Sequence, residues 1–396
     1  MQIYLDYSAT TPPHPQVIAK MSAVMSQAWG NPSSIHSWGK RAATILETAR
    51  MQVANLIQAE LPQSIIFTSG GTEANNLAIR GVAQKYSIPQ HIIISSVEHS
   101  AIAQPINFLA KKGWQITRLP VDPFGRVKPE DLAAALQDNT VLVSIIYGQS
   151  EVGTIQPIKE LAAIARKRGI LFHTDAVQAA GRLPINVDSL GIDLLSLSSH
   201  KIYGAQGAGA LYIRPSVKLS PLIRGGGQEL NLRSGTQALP TIAGFGVAAE
   251  IAAQQIITEN HRLWQLRDRL FSLLAKCPYL EPTGDRISRL PHHLSFVIKQ
   301  PAGYPPLVDE KGAKITGKTL VRQLDLAGIG ISAGSACQSG KLSPSPVLIA
   351  MGYSAAIAQT AIRLTLGKDT TEADIDWTAM VIGQIIKRLQ AQLIVT

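Results

Sequence analysis

Short apolar runs alternate with longer amphipathic stretches between residues 64 and 213 of the chain. The predicted strands are 65–68, 92–95, 142–146, 170–173, 194–197 and 210–213. Nearly continuous apolar runs of this length, separated by helical patterns, are typical of strands that helices cover on both faces. We therefore predict an α/β fold with a mostly parallel sheet flanked by helices.

Outside this region the apolar positions recur with a helical period. They predict helices over 15–28, 241–276 and 373–390. One face of the last helix is apolar, and we expect it to pack in a core. This face consists of Ile375, Ile382, Ile386 and Leu389. A chain of 396 residues is long for a single core, so we expect two domains.

Composition and charge narrow the class of protein. The net charge of +10 is spread along the chain without a basic run or interleaved aromatics, which disfavours nucleic-acid binding. The two cysteines, Cys277 and Cys337, lack the spacing of a metal site or a disulfide scaffold. Without a signal-peptide pattern or an apolar run of about 18 residues, we expect a cytoplasmic protein with no membrane or metal partner.

Polar motifs follow the predicted strands at their carboxyl ends, where ligands collect in sheets of this type. The first motif, Ser69 to Asn76, contains Gly71 and Thr72 just before a helical pattern. Free N–H groups and a hydroxyl at a helix start suit a phosphate. The alternative is that Thr72 is an ordinary N-cap residue.

Three further strand ends carry His99, Asp175 and Lys201. His99 suits stacking on a flat cofactor or moving protons, Asp175 suits a heteroaromatic nitrogen, and Lys201 suits a Schiff base. Taken alone, His99 and Asp175 are also explained as satisfied polar side chains, and an isolated Lys201 is better explained as a solvated surface lysine. The set is more informative, because a phosphate cradle, a histidine, a carboxylate and a lysine rarely meet by chance.

Two loops leave alternatives open. Asn31 lies in a turn-rich stretch, where it contacts a ligand or satisfies its own turn. Cys337 lies in a run of small and polar residues at about 333–346, which predicts a mobile loop and offers little apolar surface. The cysteine is therefore either a reactive thiol or an ordinary buried one. Ser345 and Pro346 predict the start of a helix.

Short motifs of this kind occur one after another along almost the whole chain. The stretches are 4–12, 30–34, 68–76, 98–99, 151–153, 174–178, 198–204, 233–236 and 334–339. Together they resemble the cysteine desulfurases, pyridoxal-phosphate enzymes of the class V aminotransferase group with the fold-type I architecture. The resemblance implies a large domain over 15–258 with a seven-stranded sheet. It also implies a smaller α+β domain from 1–14 and 259–396 that carries the cysteine loop.

The resemblance implies a role for each cofactor-binding residue. Lys201 would hold pyridoxal phosphate as a Schiff base and move a substrate proton, while His99 stacks on the ring. Asp175 would pair with the ring nitrogen, and Gln178 would reach the phenolic oxygen. The phosphate would be held by Gly71, Thr72, Ser198 and His200, with Thr236 from the neighbouring subunit of a homodimer.

The same resemblance implies that L-cysteine is the substrate. Arg363 would pair with its carboxylate with help from Asn31, and Cys337 would accept the sulfur as a persulfide while alanine leaves. Acceptor proteins, such as a scaffold for iron–sulfur cluster assembly, would then take the sulfur.

Two features depart from the family pattern. Ser150 stands where the family has an asparagine that contacts the ring oxygen, and we expect Gln149 or a water to substitute for it. The stretch 300–317 is longer than the usual connection and predicts a surface insertion.

Three alternatives to a desulfurase remain open. They are a selenocysteine or cystine lyase with the same cofactor, an aminotransferase, and a catalytically silent assembly scaffold.

Overall fold

A computed structural model describes residues 2–299, 308–309, 312–313, 315–334 and 344–395. Its strands are β1 (Ile3–Tyr4), β2 (Ile65–Thr68), β3 (His91–Ser95), β4 (Gln115–Leu119), β5 (Thr140–Ser144), β6 (Leu171–Asp175), β7 (Leu194–Ser198), β8 (Gly209–Ile213), β9 (Leu280–Pro282), β10 (His293–Ile298), β11 (Val308–Asp309), β12 (Gly312–Ala313), β13 (Ile329–Gly330), β14 (Ser332–Ala333) and β15 (Ile362–Thr365). Its helices are α1 (Pro15–Gln27), α2 (Ser37–Leu56), α3 (Gly71–Ala83), α4 (Ser100–Ala110), α5 (Pro129–Ala135), α6 (Ile158–Lys167), α7 (Val187–Leu190), α8 (Leu239–Leu274), α9 (Gly317–Leu326), α10 (Pro346–Ala350), α11 (Ala355–Ala358) and α12 (Glu372–Val395).

The central sheet has seven strands in the order β2-β8-β7-β6-β5-β3-β4. Strands β3 to β7 run parallel to their neighbours, while β8 runs antiparallel to both β7 and β2. The predicted mostly parallel α/β fold is confirmed. All six predicted strands occur within a few residues of their expected positions.

Strand β4 is absent from the sequence prediction. It forms one edge of the sheet, and in Gln115–Leu119 only the final leucine is fully buried. An edge strand covered on one side needs little apolar surface, so its sequence resembles a polar connection.

Helices cover both faces of the central sheet. In β2, Ile65 and Phe67 belong to one apolar cluster and Ile66 belongs to another on the opposite face. Because successive side chains of a strand point to opposite faces, this alternation requires a cover on each side. It explains why the strands have continuous apolar sequences rather than alternating ones.

A second apolar cluster surrounds the four-stranded sheet β14-β15-β10-β9. It includes Ile3 and Leu5 from the amino terminus, and β1 pairs in parallel with β13. Helix α8 contributes Phe245 to the first cluster and Leu270 to the second, so it spans both. The predicted domain boundary between residues 258 and 259 falls within this helix and stays a prediction.

The long predicted helices are confirmed as α1, α8 and α12. Three residues of the predicted apolar face of α12 are buried and the fourth packs against the second cluster: Ile375, Ile382, Ile386 and Leu389. Within the described ranges, none of the helices combines the length and apolarity that crossing a bilayer demands. Most of the predicted insertion at 300–317 lies outside the described residues; in the rest of it, β11 pairs with β12 and α9 begins at its end.

Candidate active site

Lys201 lies directly after the central strand β7, on a short 3-10 turn over Ser199–Lys201. Its Nζ donates hydrogen bonds to the main-chain oxygens of Ser8 at 2.6 Å and Ala9 at 2.7 Å. The Ser8 oxygen also accepts from Gln178 Nε2 at 2.9 Å. A single carbonyl therefore brings together the predicted Schiff-base lysine and the predicted partner of the ring oxygen.

The amino-terminal segment holds the lysine turn in place. The Thr10 hydroxyl lies 3.1 Å from His200 Nδ1, and the Thr11 amide donates to the His200 carbonyl at 3.0 Å. The Thr11 hydroxyl accepts from the amide of Tyr203 at 2.8 Å, where φ is +65°. These contacts fix a turn with an unusual backbone conformation, and they act largely through main-chain atoms.

Asp175 ends strand β6 and is buried, with 3% of its surface exposed. Its Oδ2 accepts a hydrogen bond from Asn75 Nδ2 at 2.7 Å, and its Oδ1 accepts from the Val177 amide at 3.0 Å. Donors on both oxygens orient the carboxylate. Asn75 lies on α3, one turn after Thr72, and it is a site residue that the sequence analysis missed.

The predicted phosphate-binding loop lies against the end of β7. A Cβ atom added to Gly71 would come within 2.6 Å of Val177 Cγ2 and 3.4 Å of Ser198 Cβ. A Cβ atom on Gly209 would come within 2.5 Å of the Gly70 carbonyl carbon. Glycine at both positions allows this close approach of the loop and the strand ends.

Thr72 is not the N-cap of helix α3, so that alternative is wrong. Gly70 is the N-cap, and as a glycine it supplies no side-chain acceptor for the first turn. Thr72 is exposed beside these amides. A helix start whose N–H groups lack a capping side chain is suited to bind an anion.

The surroundings fix the charge of one histidine near the site and the hydrogen-bonding role of a ring nitrogen in the other. Burial, helped by the charge of Lys201, lowers the pKa of His200 to about 4, so its ring is neutral at pH 7. His99 is the N-cap of α4, and its Nδ1 accepts from the Ala101 amide at 3.1 Å. Because Nδ1 accepts, the neutral ring carries its proton on Nε2.

Arg363, on β15, is buried with 4% exposure. Its Nη2 donates to Asp6 Oδ1 at 2.7 Å, and its Nη1 donates to the Ser150 carbonyl at 3.0 Å. The main chain of Ser150 therefore contacts Arg363, the residue predicted to bind the substrate carboxylate. Asp6 was not among the predicted site residues.

Gln149 or a water was expected to replace the family asparagine, and the contacts of Gln149 favour the water. Gln149 is buried, and its Oε1 accepts from the amides of Glu151 at 2.5 Å and Val152 at 3.0 Å. Its Nε2 donates to the Val97 carbonyl at 3.2 Å. The carbonyl end of the side chain thus holds its own turn, and the amide end joins this turn to Val97.

Two predicted contacts lie at the surface. The side chain of Asn31 accepts from the Ser33 amide at 2.9 Å, which matches the alternative in which it satisfies its own turn. Thr236 is exposed, on the loop that follows the Arg233–Glu73 ion pair. Its predicted role in a neighbouring subunit stays a prediction.

The two cysteines differ. Cys277 is partly buried against the second apolar cluster, and burial raises its pKa, as expected for a thiol in a core. Cys337 lies outside the described residues, between Gly334 and Ser345. The predicted helix start is confirmed, because Ser345 caps α10 through the Leu348 amide and Pro346 occupies its first turn.

The two remaining carboxyl groups near the site were also missed by the sequence analysis. Glu98 Oε1 accepts from the Ser95 hydroxyl at 2.5 Å and from the Ile146 amide at 2.9 Å, so it joins the ends of β3 and β5. Burial, and then the charge of Asp175, raise its pKa to about 8. Glu151 is the other; it is half-buried, and its carboxyl accepts a hydrogen bond from the Ser345 hydroxyl.

Pyridoxal phosphate fits this set of residues. The amine of Lys201 is held by carbonyl oxygens, an oriented carboxylate ends the neighbouring strand, and an uncapped helix start lies beside Ser198. These are the groups that a pyridine ring, an aldehyde and a phosphate require. Lys201, Asp175 and the Gly71–Thr72 loop would hold the cofactor.

Comparison with known proteins agrees with this geometry. Residues 3–377 match the family model described as "Aminotransferase class-V". The chain is 45% identical over 393 residues to "Cysteine desulfurase IscS" of Dictyoglomus turgidum, covering 98% of this chain and 95% of that protein. It is 42% identical over 389 residues to the protein of the same name from Methanosarcina thermophila, covering 98% and 93%.

Solved structures give the same result. The structure titled "NIFS-LIKE PROTEIN" superposes with a TM-score of 0.88 at 35% identity, covering 98% of this chain and 100% of that one. The NifS-like protein from Rickettsia africae superposes with a TM-score of 0.85 at 32% identity, covering 98% and 100%. The chain belongs to the class V aminotransferase family of pyridoxal-phosphate enzymes. Within that family it belongs with the cysteine desulfurases.

Proposed function

We propose that this protein converts L-cysteine to L-alanine and retains the sulfur on Cys337 as a persulfide. The observation that carries the proposal is the shared carbonyl of Ser8, which accepts from both Lys201 and Gln178 beside the strand that ends in Asp175. Relatives named cysteine desulfurase support it. So does a structure titled "SspA in complex with cysteine", which superposes with a TM-score of 0.78 at 34% identity and covers 92% of this chain and 99% of that one.

Bound pyridoxal phosphate supplies a Schiff-base aldehyde and a ring that stores the electron pair released at the substrate Cα. The residues of the chain do the rest. Lys201 moves the Cα proton, and the carbonyls of Ser8 and Ala9 direct its Nζ. Asp175, held by Asn75, would stabilise positive charge on the ring nitrogen of the bound cofactor. His99 would pack on the ring face, and Gln178 would donate to the ring oxygen.

The phosphate site would use both the loop and the turn. The first amides of α3 with Thr72 would bind the phosphate from one side, and Ser198 with neutral His200 would bind it from the other. A neutral histidine donates one hydrogen bond without adding charge. Lys201 then remains the positively charged residue of the Ser199–Lys201 turn.

The substrate site would centre on Arg363. A guanidinium can take a carboxylate with two hydrogen bonds, and its Nε has no partner among the described residues. To assist Arg363, the Asn31 side chain would have to give up the hydrogen bond that it accepts from the Ser33 amide. The Cys337 thiolate would attack the substrate sulfur, so that a sulfur–sulfur bond forms while the carbon–sulfur bond breaks.

A homodimer is also part of the proposal. Several large apolar side chains near the Thr236 loop or at the start of α2 are exposed: Trp29, Ile35, Trp38, Ile223 and Leu230. The Arg50–Glu229 ion pair at 2.7 Å anchors a loop whose residues Glu229, Leu230 and Asn231 all have positive φ. A loop held in this conformation can present Leu230 and Thr236 to a second subunit.

Acceptor proteins would receive the sulfur, and an iron–sulfur assembly scaffold is the proposed example. A cytoplasmic location and the division into a large and a small domain remain parts of the proposal.

The experiment is an assay of alanine and sulfide from L-cysteine by protein loaded with pyridoxal phosphate. The wild-type protein is expected to form both, and Lys201→Ala is expected to form neither. A Cys337→Ser variant that released sulfur at the full rate would favour a lyase. Wild-type protein that binds the cofactor but leaves cysteine unchanged would contradict the proposal.

A further inference from the structure

Ser8 uses all three of its polar groups, and they reach different parts of the fold. Its carbonyl accepts from Lys201 Nζ and Gln178 Nε2 on the side of the central sheet. Its amide donates to the Thr365 hydroxyl at 2.9 Å, and its own hydroxyl lies 3.2 Å from His292 Nε2. Thr365 ends β15 and His292 directly precedes β10, so both of these contacts come from the side of the four-stranded sheet. Ser8 therefore joins the four-stranded sheet to the acceptor of the Lys201 amine.

His292 is a buried histidine to which the proposed reaction assigns no role. It is 2% exposed, as is Ser8. Its main-chain carbonyl accepts from the Leu366 amide at 2.9 Å, which holds the residue beside the end of β15. Its Nδ1 has no hydrogen-bond partner among the residues that the structure describes, so the ring is tied to the site through Ser8. Because a buried hydroxyl without a partner costs free energy, loss of the ring would displace Ser8.

The ring of His292 is neutral at pH 7. Burial lowers its pKa well below the ordinary value, and nearby charged groups act in the same direction: Arg182, His293, Arg363 and Arg267. The ring therefore keeps one charge state from about pH 6 to about pH 9, and its contact with Ser8 is the same throughout this range.

We propose that His292 is a positioning residue for the Lys201 amine. It holds the Ser8 hydroxyl, and this contact keeps the Ser8 carbonyl at 2.6 Å from Lys201 Nζ. His292 thus acts on the amine through Ser8, and it links the position of the amine to the four-stranded sheet. The inference rests on the proposed role of Lys201 as the Schiff-base residue.

Three variants separate a hydrogen-bonding role of His292 from a packing role. His292→Gln keeps a side-chain amide near the position of Nε2, whereas His292→Leu fills the volume with an apolar side chain. Ser8→Ala removes the hydroxyl and keeps the main-chain carbonyl. The matched control is His91→Leu, because His91 is also buried and its ring nitrogens also lie 2.8 Å from hydroxyls, those of Thr140 and Thr117. His91 begins β3, at the end of that strand away from the site.

Two measurements use protein from which the cofactor has been removed. Absorbance titration with pyridoxal phosphate gives the affinity for the cofactor. Brief treatment with acetic anhydride, followed by peptide mass spectrometry, gives the reactivity of the Lys201 amine relative to that of the exposed Lys85. For every variant, kcat and KM for alanine formation at saturating cofactor and the thermal unfolding midpoint are also recorded.

The proposal predicts that His292→Leu and Ser8→Ala each weaken cofactor binding about tenfold, because the amine loses a fixed acceptor. Acetylation of Lys201 is expected to rise about threefold in both, since the amine gives up fewer contacts before it reacts. We expect kcat to fall about tenfold at every pH, with KM changed by less than about twofold. Combining the two changes is expected to cost no more than either alone, because both remove one contact. His292→Gln is expected to restore cofactor affinity to within about threefold of wild type, and His91→Leu to match it.

Three results would overturn the inference and leave the proposed function intact. One is a His292→Leu protein with wild-type cofactor affinity and Lys201 reactivity, because packing alone would then suffice. Another is a His292→Gln protein that loses as much as His292→Leu. The third is a double variant whose losses multiply. If the His292 variants do not fold, Ser8→Ala decides, and wild-type values in it overturn the inference.

Lys201→Ala tests the premise separately. It is expected to lose the visible absorbance of the Schiff base formed with pyridoxal phosphate. A Lys201→Ala protein that keeps this absorbance would remove the proposed role of Lys201, and the inference with it.

Discussion

Arg363 and Asp6 form an ion pair of 2.7 Å across 357 positions of the sequence. The other oxygen of Asp6 accepts from the Ser332 hydroxyl at 2.8 Å, so the aspartate joins the amino-terminal segment to β14 and β15. The guanidinium is thereby oriented before a substrate arrives, and preorganised donors bind a carboxylate with less loss of entropy.

The first prediction concerns this arginine. Arg363→Lys keeps the positive charge beside Asp6 but removes the planar pair of donors, so KM for L-cysteine is expected to rise about 10- to 100-fold. Cofactor absorbance is expected to stay unchanged, because Arg363 belongs to the substrate site. Steady-state kinetics check this, with Arg269→Lys at an exposed ion pair as the control. A KM equal to that of the wild-type enzyme would remove Arg363 from the substrate site.

The second prediction concerns the amide that holds Asp175. Asn75→Ala removes the 2.7 Å hydrogen bond to Asp175 Oδ2, and we expect pyridoxal phosphate to bind about tenfold more weakly. The neighbouring Asn76→Ala is the control, since Asn76 Nδ2 donates to the carbonyl of Thr72 within the same helix. Absorbance titration of the cofactor-free protein measures both affinities. Equal affinities for the two variants would show that Asn75 does not support the cofactor site.

The third prediction concerns the pH dependence of stability. The pKa of Glu98 is raised by burial from 4.5 to about 8, so the folded protein keeps a proton that the unfolded chain releases. The stability contributed by this group is fully present below about pH 4.5 and is lost as pH rises toward 8. Glu98→Gln is therefore expected to flatten the fall in unfolding midpoint over this range.

Thermal unfolding at several pH values measures this effect. Glu281→Gln serves as the control, because its exposed carboxylate pairs with Lys299 at the surface. If the midpoint of Glu98→Gln declines with pH as steeply as that of the wild-type protein, the buried carboxyl of Glu98 does not titrate in this range.

The sheet and its strand-end motifs were predictable because burial on both faces leaves a continuous apolar signal. The carboxyl ends of such strands carry Lys201, Asp175 and Gln178. The structure brings these residues together at the carboxyl end of the sheet. Strand β4 lacked that signal because an edge strand needs fewer apolar residues.

Other parts of the site leave no trace in a sequence pattern. Ser8 and Ala9 act through main-chain carbonyls, which any residue supplies. Asp6 meets Arg363 only after the chain ends have folded together. Gln149 was one of two groups expected to replace the family asparagine, because sequence position alone does not show that its carbonyl oxygen accepts from amides of its own turn.

The central claim is that sulfur moves from L-cysteine to Cys337 with the help of Lys201. Peptide mass spectrometry after brief incubation with L-cysteine tests it directly. The account predicts that the peptide containing Cys337 gains one sulfur atom, that the peptide containing Cys277 does not, and that Lys201→Ala abolishes the gain. Alanine formation without added sulfur on Cys337, or a persulfide that persists in Lys201→Ala, would contradict it.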